Sequence, residues 1–332
     1  MPYCFGILRL AIPLYVFYSG FFAERILSLS FSKLIKNLFF RQFLPALTFA
    51  ILTLFLSLLF DNQDVSCALK SVFFSGSGIH EHLFQTPAHF LYLLFFLNVL
   101  YYVIHLFTLH FFNLPRYRWL CIFALSFLIA MVGFYARLKF PEVEIFGKRG
   151  WSLPFSFDLA MLLLPYYAVG SYFFPSLSTF RFSDLSPVRK ILYGSFGCIC
   201  ITYVICALHS PAIAAFCAPH ITHSLPLDCV YVLVNSIPFI VCVISLLLLL
   251  NRDCILARIG QYYLFLLCCN SIVHLIFLKI TKLLGLSFRT ETVWDSFIVG
   301  IIELLFAYCV IVSICKKLFP PFAKNKPVKT VE

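Results

Sequence analysis

The most regular feature of the sequence is the alternation of long apolar runs with short polar segments. Each run has about 20 residues, the length that an α-helix needs to cross the hydrocarbon core of a bilayer. The pattern predicts nine membrane-spanning helices, at residues 5–23, 42–60, 89–112, 118–136, 157–174, 190–208, 229–250, 259–280 and 294–315. Because no long polar segment separates them, we expect a single membrane domain over residues 1–332, an all-α polytopic helix bundle.

Composition supports a membrane protein over a soluble one. Hydrophobic residues make up 62% of the 332 residues and charged residues only 12%, whereas a soluble domain has about 25% charged residues. The net charge of +11 does not indicate nucleic-acid binding, because the basic residues are scattered in short groups between apolar runs. We expect membrane lipid as a partner and no nucleic acid.

The cysteine and histidine patterns predict no metal site. The 14 cysteines lie mostly inside apolar runs and form no CxxC pair, so we interpret them as small buried hydrophobic residues. The spacings His80–His82 and His220–His223 would suit a metal, but loop histidines without a metal explain them as well.

The distribution of basic residues predicts the orientation of the chain. Of the 25 Lys and Arg residues, 16 fall in alternate joining segments and in the tail 316–332. Positively charged loops are retained in the cytoplasm. We therefore expect the basic tail 316–332 in the cytoplasm, segment 61–88 outside, and, with nine spans, the N-terminus outside.

A few ionisable residues interrupt the apolar runs, where charge is costly and is often functional. Asp158 could also cap a helix, and Glu303 could be a protonated carboxyl bonded to a neighbouring helix. His105 and His274 are interpreted as hydrogen-bonded core residues more readily than as catalysts. Arg9 could pair with Asp158.

Three segments resemble the membrane acyltransferase family 3, bacterial enzymes that O-acylate sugars and polysaccharides. They are IPLYVFYSGFF (12–22), WSLPFSFDLAMLLLPYYAVGSYF (151–173) and ARIGQYYLFLLCCNSIVH (257–274). The residues that match the family's motifs are Pro13, Ser19, Gly20, Trp151, Pro154, Asp158, Ala160, Pro165 and Gly170.

The resemblance implies an O-acyltransferase of the bacterial inner membrane. It would move an acyl group, such as acetyl, from acyl-CoA to the hydroxyl of a carbohydrate or lipid-linked sugar. Acyl-CoA would be a co-substrate, and no bound cofactor is expected. The implied catalytic residues are Asp158 and His274, to which the ionisable residues of the apolar runs add Glu303. Acyl-donor binding would fall to Lys33, Lys36 and Arg41, which could equally serve only to orient the chain. Acceptor binding would fall to Trp151 and Phe155, whose segment could equally be an interfacial aromatic belt.

The chain also departs from the family's pattern. The family has ten helices, and the first carries an Arg-Gly motif and a His that acts as the base. No His precedes His80, and Asn270 stands where the late His is expected, with His274 one turn further on. We therefore expect little transfer activity from these 332 residues.

Two other functions stay open from the sequence. A transporter or flippase for a polar lipid precursor would use Arg9, Asp158 and Glu303 as a polar path. A non-catalytic membrane scaffold would need none of these residues.

Overall fold

The structure is a computed structural model of the chain. It describes residues 12–61, 88–112, 114–139, 143–145, 148–150, 154–179 and 186–209, with scattered positions between 230 and 306.

The described chain is helical apart from one short hairpin. The described chain also contains a π-helical turn (Phe39–Phe43) and a 3-10 turn (Pro154–Ser156). The hairpin pairs β1 (Val143–Ile145) with β2 (Lys148–Gly150) in antiparallel register. The helices are α1 (12–20), α2 (Ala23–Leu27), α3 (Phe31–Leu38), α4 (Leu44–Asp61), α5 (Ala88–Phe111), α6 (Pro115–Lys139), α7 (Phe157–Thr179) and α8 (Pro187–His209).

Helices occupy the apolar runs that the structure describes. Helices α4 to α8 each coincide with a predicted span to within a few residues. Among the described residues, Phe90–Phe111 and Tyr117–Ala136 are long and apolar enough to cross a membrane. The three spans predicted after residue 229 lie almost wholly outside the described residues.

The basic segment between the first two predicted spans is mostly helical. Leu34 and Leu38 are buried, whereas Lys33 and Lys36 on the same helix are exposed. This spacing gives α3 one apolar and one basic face, which is typical of a helix lying along a surface. The helix then continues through the π-helical turn into α4.

The core of the bundle lies where α1, α5 and α7 meet. Val16 of α1, Leu97 of α5 and Leu164 of α7 are fully buried there and belong to one cluster. Helix α6 packs along α7 and also touches α5. The described bundle therefore buries α7 between three neighbours, which places its side chains at the centre.

Three glycines allow these helices to touch backbone to backbone. A Cβ atom at Gly170 would collide with the carbonyl oxygen of Phe17, and one at Gly20 with that of Tyr167. At Gly133 a Cβ atom would lie 2.7 Å from the carbonyl oxygen of Asp158. Small residues at such crossings are the usual means of close packing between membrane helices.

Candidate functional site

Asp158 lies buried at the start of α7. It follows the 3-10 turn as the second residue of the helix, and only 1% of its surface is exposed. A carboxylate in the first turn is favoured by the helix dipole. Asp158 is therefore an interior residue of the described bundle, and it lies at the end of its helix.

The turn before Asp158 has an unusual backbone. Phe155 (φ 58°, ψ 28°) and Ser156 (φ 59°) both adopt the left-handed region, which non-glycine residues seldom enter. Such conformations persist when surrounding packing holds them. Here the Phe155 ring packs against Phe43 (5.3 Å between centroids) and Tyr92 (4.9 Å). The aromatic residue proposed for acceptor binding is thus half-buried against α5 and the π-helical turn.

The three basic residues proposed for the acyl donor are all exposed. Lys33 and Lys36 lie on α3 and Arg41 lies in the π-helical turn. Leu34 and Leu38, on the opposite side of α3, pack in one cluster with Tyr102. The structure thus places these cations on the surface, whereas Asp158 is inside.

The remaining predicted site residues lie outside the described residues. These are Arg9, Trp151, His274 and Glu303. Their roles stay predictions.

A chain of polar side chains inside the bundle was missed by the sequence reasoning. The Tyr167 hydroxyl donates to Asn98 Oδ1 at 2.5 Å, and Asn98 Nδ2 donates to Gln42 Oε1 at 3.2 Å. The three residues belong to α7, α5 and the π-helical turn, and we call them the Asn98 chain. Each hydrogen bond joins a different pair of segments, so the Asn98 chain fixes their relative positions.

The π-helical turn explains how Gln42 reaches the interior. A π-helical turn contains an extra residue, and such turns are frequent at functional sites. Gln42 bonds to Asn98 while its neighbour Arg41 stays exposed. Within this turn, the half-buried Gln42 amide contacts Asn98, whereas the neighbouring Arg41 side chain lies on the surface.

A second polar group lies one turn along α5 and α7. The Tyr101 hydroxyl donates to Ser171 Oγ at 2.9 Å, and the Tyr101 and Tyr167 rings are 5.1 Å apart. One further turn along α5, Nδ1 of His105 is buried without a hydrogen-bond partner among the described residues. That imidazole nitrogen lies inside the described bundle, and the role of His105 stays a prediction.

The two polar regions of α7 are well separated. Tyr167 follows Asp158 by nine residues, or about 13 Å along a helix at 1.5 Å per residue. The second region consists of hydroxyl and amide side chains, which the cost of charge in apolar runs does not single out. Polar residues at helical spacing, Asn98 with Tyr101 and Tyr167 with Ser171, were the signal that could have found the second region.

Comparison with known protein families, with curated proteins and with solved structures finds no match for this chain. Within the described residues, no group of three or more His, Cys, Asp or Glu side chains is placed to hold a metal ion.

Proposed function

We propose that the chain is an integral membrane O-acyltransferase of the type that its motifs resemble. It would transfer an acetyl or related acyl group from acyl-CoA to a carbohydrate hydroxyl, at a membrane that the resemblance implies is the bacterial inner membrane. We propose a bundle of about nine membrane helices, with the C-terminal tail in the cytoplasm.

One observation supports this proposal above the others: two of the resembling motifs meet in space. Gly20 belongs to the first motif and Gly170 to the second, and each lies against the backbone of the other's helix. Segments that are 150 residues apart in sequence thus form one crossing through the positions that match the family. The same second motif contributes the buried Asp158.

Acyl transfer to a hydroxyl requires a base, donors for the developing charge, and cations for the donor's phosphates. An attacking hydroxyl needs a base within hydrogen-bond reach, and the negative charge that develops on the carbonyl oxygen of the thioester needs hydrogen-bond donors. A buried carboxylate such as Asp158 can orient an imidazole or accept a hydrogen bond from the acceptor. On the resemblance, the donor's phosphates would contact exposed cations on the predicted cytoplasmic side, of which Arg41 is one.

A transfer assay tests the proposal. Membranes containing residues 1–332, and membranes containing the same residues preceded by the segment encoded in frame upstream of Met1, receive radiolabelled acetyl-CoA. We expect carbohydrate labelling by the longer chain and little by residues 1–332 alone, and we expect Asp158→Asn to reduce labelling by the longer chain by about 10²-fold or more. Glu24→Gln, which alters an exposed carboxylate, serves as the matched control and should retain activity.

The pattern of results separates the alternatives. Labelling by the longer chain alone would assign the base to the upstream segment. No labelling by either chain would contradict the acyltransferase proposal.

A transporter is the second candidate, and the Asn98 chain favours it. Polar groups are rare inside membrane helices and often mark a path for a polar substrate. If acyl transfer is absent, vesicles containing the purified chain are tested for uptake of a polar lipid precursor. Uptake that is lost in Asn98→Leu would support transport.

A further inference from the structure

The segment from α2 through the π-helical turn carries exposed cations beside exposed aromatic rings. Phe22, Phe31 and Phe40 are 51%, 49% and 56% exposed. Arg25, Lys33 and Lys36 are exposed beside them. We call these six residues the α2–α3 surface. Large aromatic groups in such number need an apolar partner, because contiguous exposed apolar area is unfavourable in water.

The exposed and the buried residues of α3 lie on different sides of the helix. Lys33, Lys36 and Phe40 recur at i, i+3 and i+7 and are all exposed, so they share one side of the helix. Leu34 and Leu38 face the bundle instead. A helix with a basic outer side flanked by aromatic rings is typical of an element lying at the membrane–water boundary.

Contacts with α5 hold the surface in place. The Tyr102 hydroxyl donates to the carbonyl oxygen of Leu29 at 2.7 Å, in the connection between α2 and α3. The Tyr102 ring lies 5.9 Å from that of Phe31. The guanidinium of Arg25 is 5.9 Å from the centre of the Phe22 ring, within the range of a cation–π contact.

We propose that the α2–α3 surface binds anionic phospholipid of the cytoplasmic leaflet. Lys33 and Lys36 contact the headgroup phosphate, and Phe40, on the same side of the helix, lies against the upper part of the acyl chains. The charge is complementary, because Arg25 and the two lysines face anionic lipid and Glu24 is the single acidic residue on α2 and α3.

The chemistry of the ligand favours phospholipid over the acyl donor. Both carry phosphate, but only phospholipid joins its phosphate to long apolar chains, so a single phospholipid can contact the lysines and the neighbouring phenyl ring together. The inference does not require acyltransferase activity, and if it is correct, the donor's phosphates bind away from Lys33 and Lys36.

Native mass spectrometry of the purified full chain in detergent tests this inference. The chain is titrated with phosphatidylglycerol, and in parallel with phosphatidylcholine and with acetyl-CoA. We expect Lys33→Gln/Lys36→Gln to weaken phosphatidylglycerol binding by about 30-fold. This is the effect of about 1 kcal/mol for each lysine near an anionic surface, at tenfold per 1.4 kcal/mol. Phosphatidylcholine binding should not change.

The matched control is Arg189→Gln/Lys190→Gln. It removes two basic residues from the first turn of α8, which is also predicted to be cytoplasmic. We expect a smaller loss of affinity than for the Lys33/Lys36 pair, because Tyr193 is the single aromatic residue before Phe196 on that helix. A second variant, Phe40→Ala, should also weaken phosphatidylglycerol binding while both lysines remain.

Three outcomes would overturn the inference. Equal losses in the two charge variants would mean that lipid binding follows net charge alone. Unchanged phosphatidylglycerol affinity with weakened acetyl-CoA binding would assign the lysines to the donor. Unchanged affinity for both ligands would leave the lysines with no phosphate ligand. The melting temperature of each variant, measured in the same detergent, shows that it is folded.

Discussion

Replacing Gly170 by Ala should destabilise the bundle at the crossing of α1 and α7. The added Cβ atom would overlap the carbonyl oxygen of Phe17 and lie 2.9 Å from its carbonyl carbon. Both are backbone atoms, so no side chain can rotate away. The contact with the oxygen is 2.0 Å, and Cβ atoms essentially never come closer than 3.0 Å to another heavy atom, so the two helices must part by at least 1.0 Å.

That displacement sets the size of the effect. A gap of 0.5–1 Å loses roughly a quarter to a half of each van der Waals contact along the crossing. Overpacking of a close-packed interior typically costs about 1–3 kcal/mol. At about 2–4 °C per kcal/mol for a chain of this general size, we expect the melting temperature to fall by several degrees.

Gly194→Ala provides the matched control for this prediction. Gly194 lies within α8 and has no atom within 4 Å of an added Cβ, among the residues described. Both substitutions raise helix propensity by up to about 1 kcal/mol, so the difference between the two variants isolates the steric effect. The assay is thermal unfolding of the purified chain in detergent.

Equal melting temperatures for Gly170→Ala and Gly194→Ala would refute the backbone contact and with it the packing of α1 on α7. Gly20→Ala offers an independent check, because its Cβ would meet the carbonyl oxygen of Tyr167 at the same crossing. The double variant with Gly170→Ala should lose less stability than the sum of the two single variants, since the first substitution already parts the helices.

Two further predictions concern the interior and the orientation. Tyr167→Phe removes the hydroxyl that donates to Asn98 and should lower the free energy of unfolding by about 0.6 kcal/mol, the average for hydrogen bonds between membrane helices, and by no more than about 1.7 kcal/mol. Tyr172→Phe, at an exposed position of the same helix, should have little effect in the same thermal assay, and equal losses would count against the Asn98 chain. The orientation is tested in a variant without native cysteines, into which one cysteine is introduced at Gln63 or at Asn325. An impermeant thiol reagent applied to intact cells should label the cysteine at Gln63 and not the one at Asn325. The reverse pattern would contradict the predicted orientation.

Helix positions were readable from sequence because they depend on local composition. The apolar runs that gave spans 89–112 and 118–136 became α5 and α6 almost residue for residue. A run of about 20 apolar residues has few alternatives to a helix, since a helix satisfies its backbone hydrogen bonds internally. The position of a carboxylate inside such a run likewise singled out Asp158 without knowledge of its neighbours, because charge is costly there.

Contacts between helices depended on tertiary structure, because they join residues far apart in the chain. Nothing local distinguishes Gly170, which lies against Phe17, from Gly194, which has open space around it. Gln42 reaches Asn98 only because a π-helical turn rotates it inward, and α3 takes its orientation from packing on Tyr102. Local sequence thus determined which segments are helices, whereas the close approach of backbones decided which polar side chains meet inside the bundle.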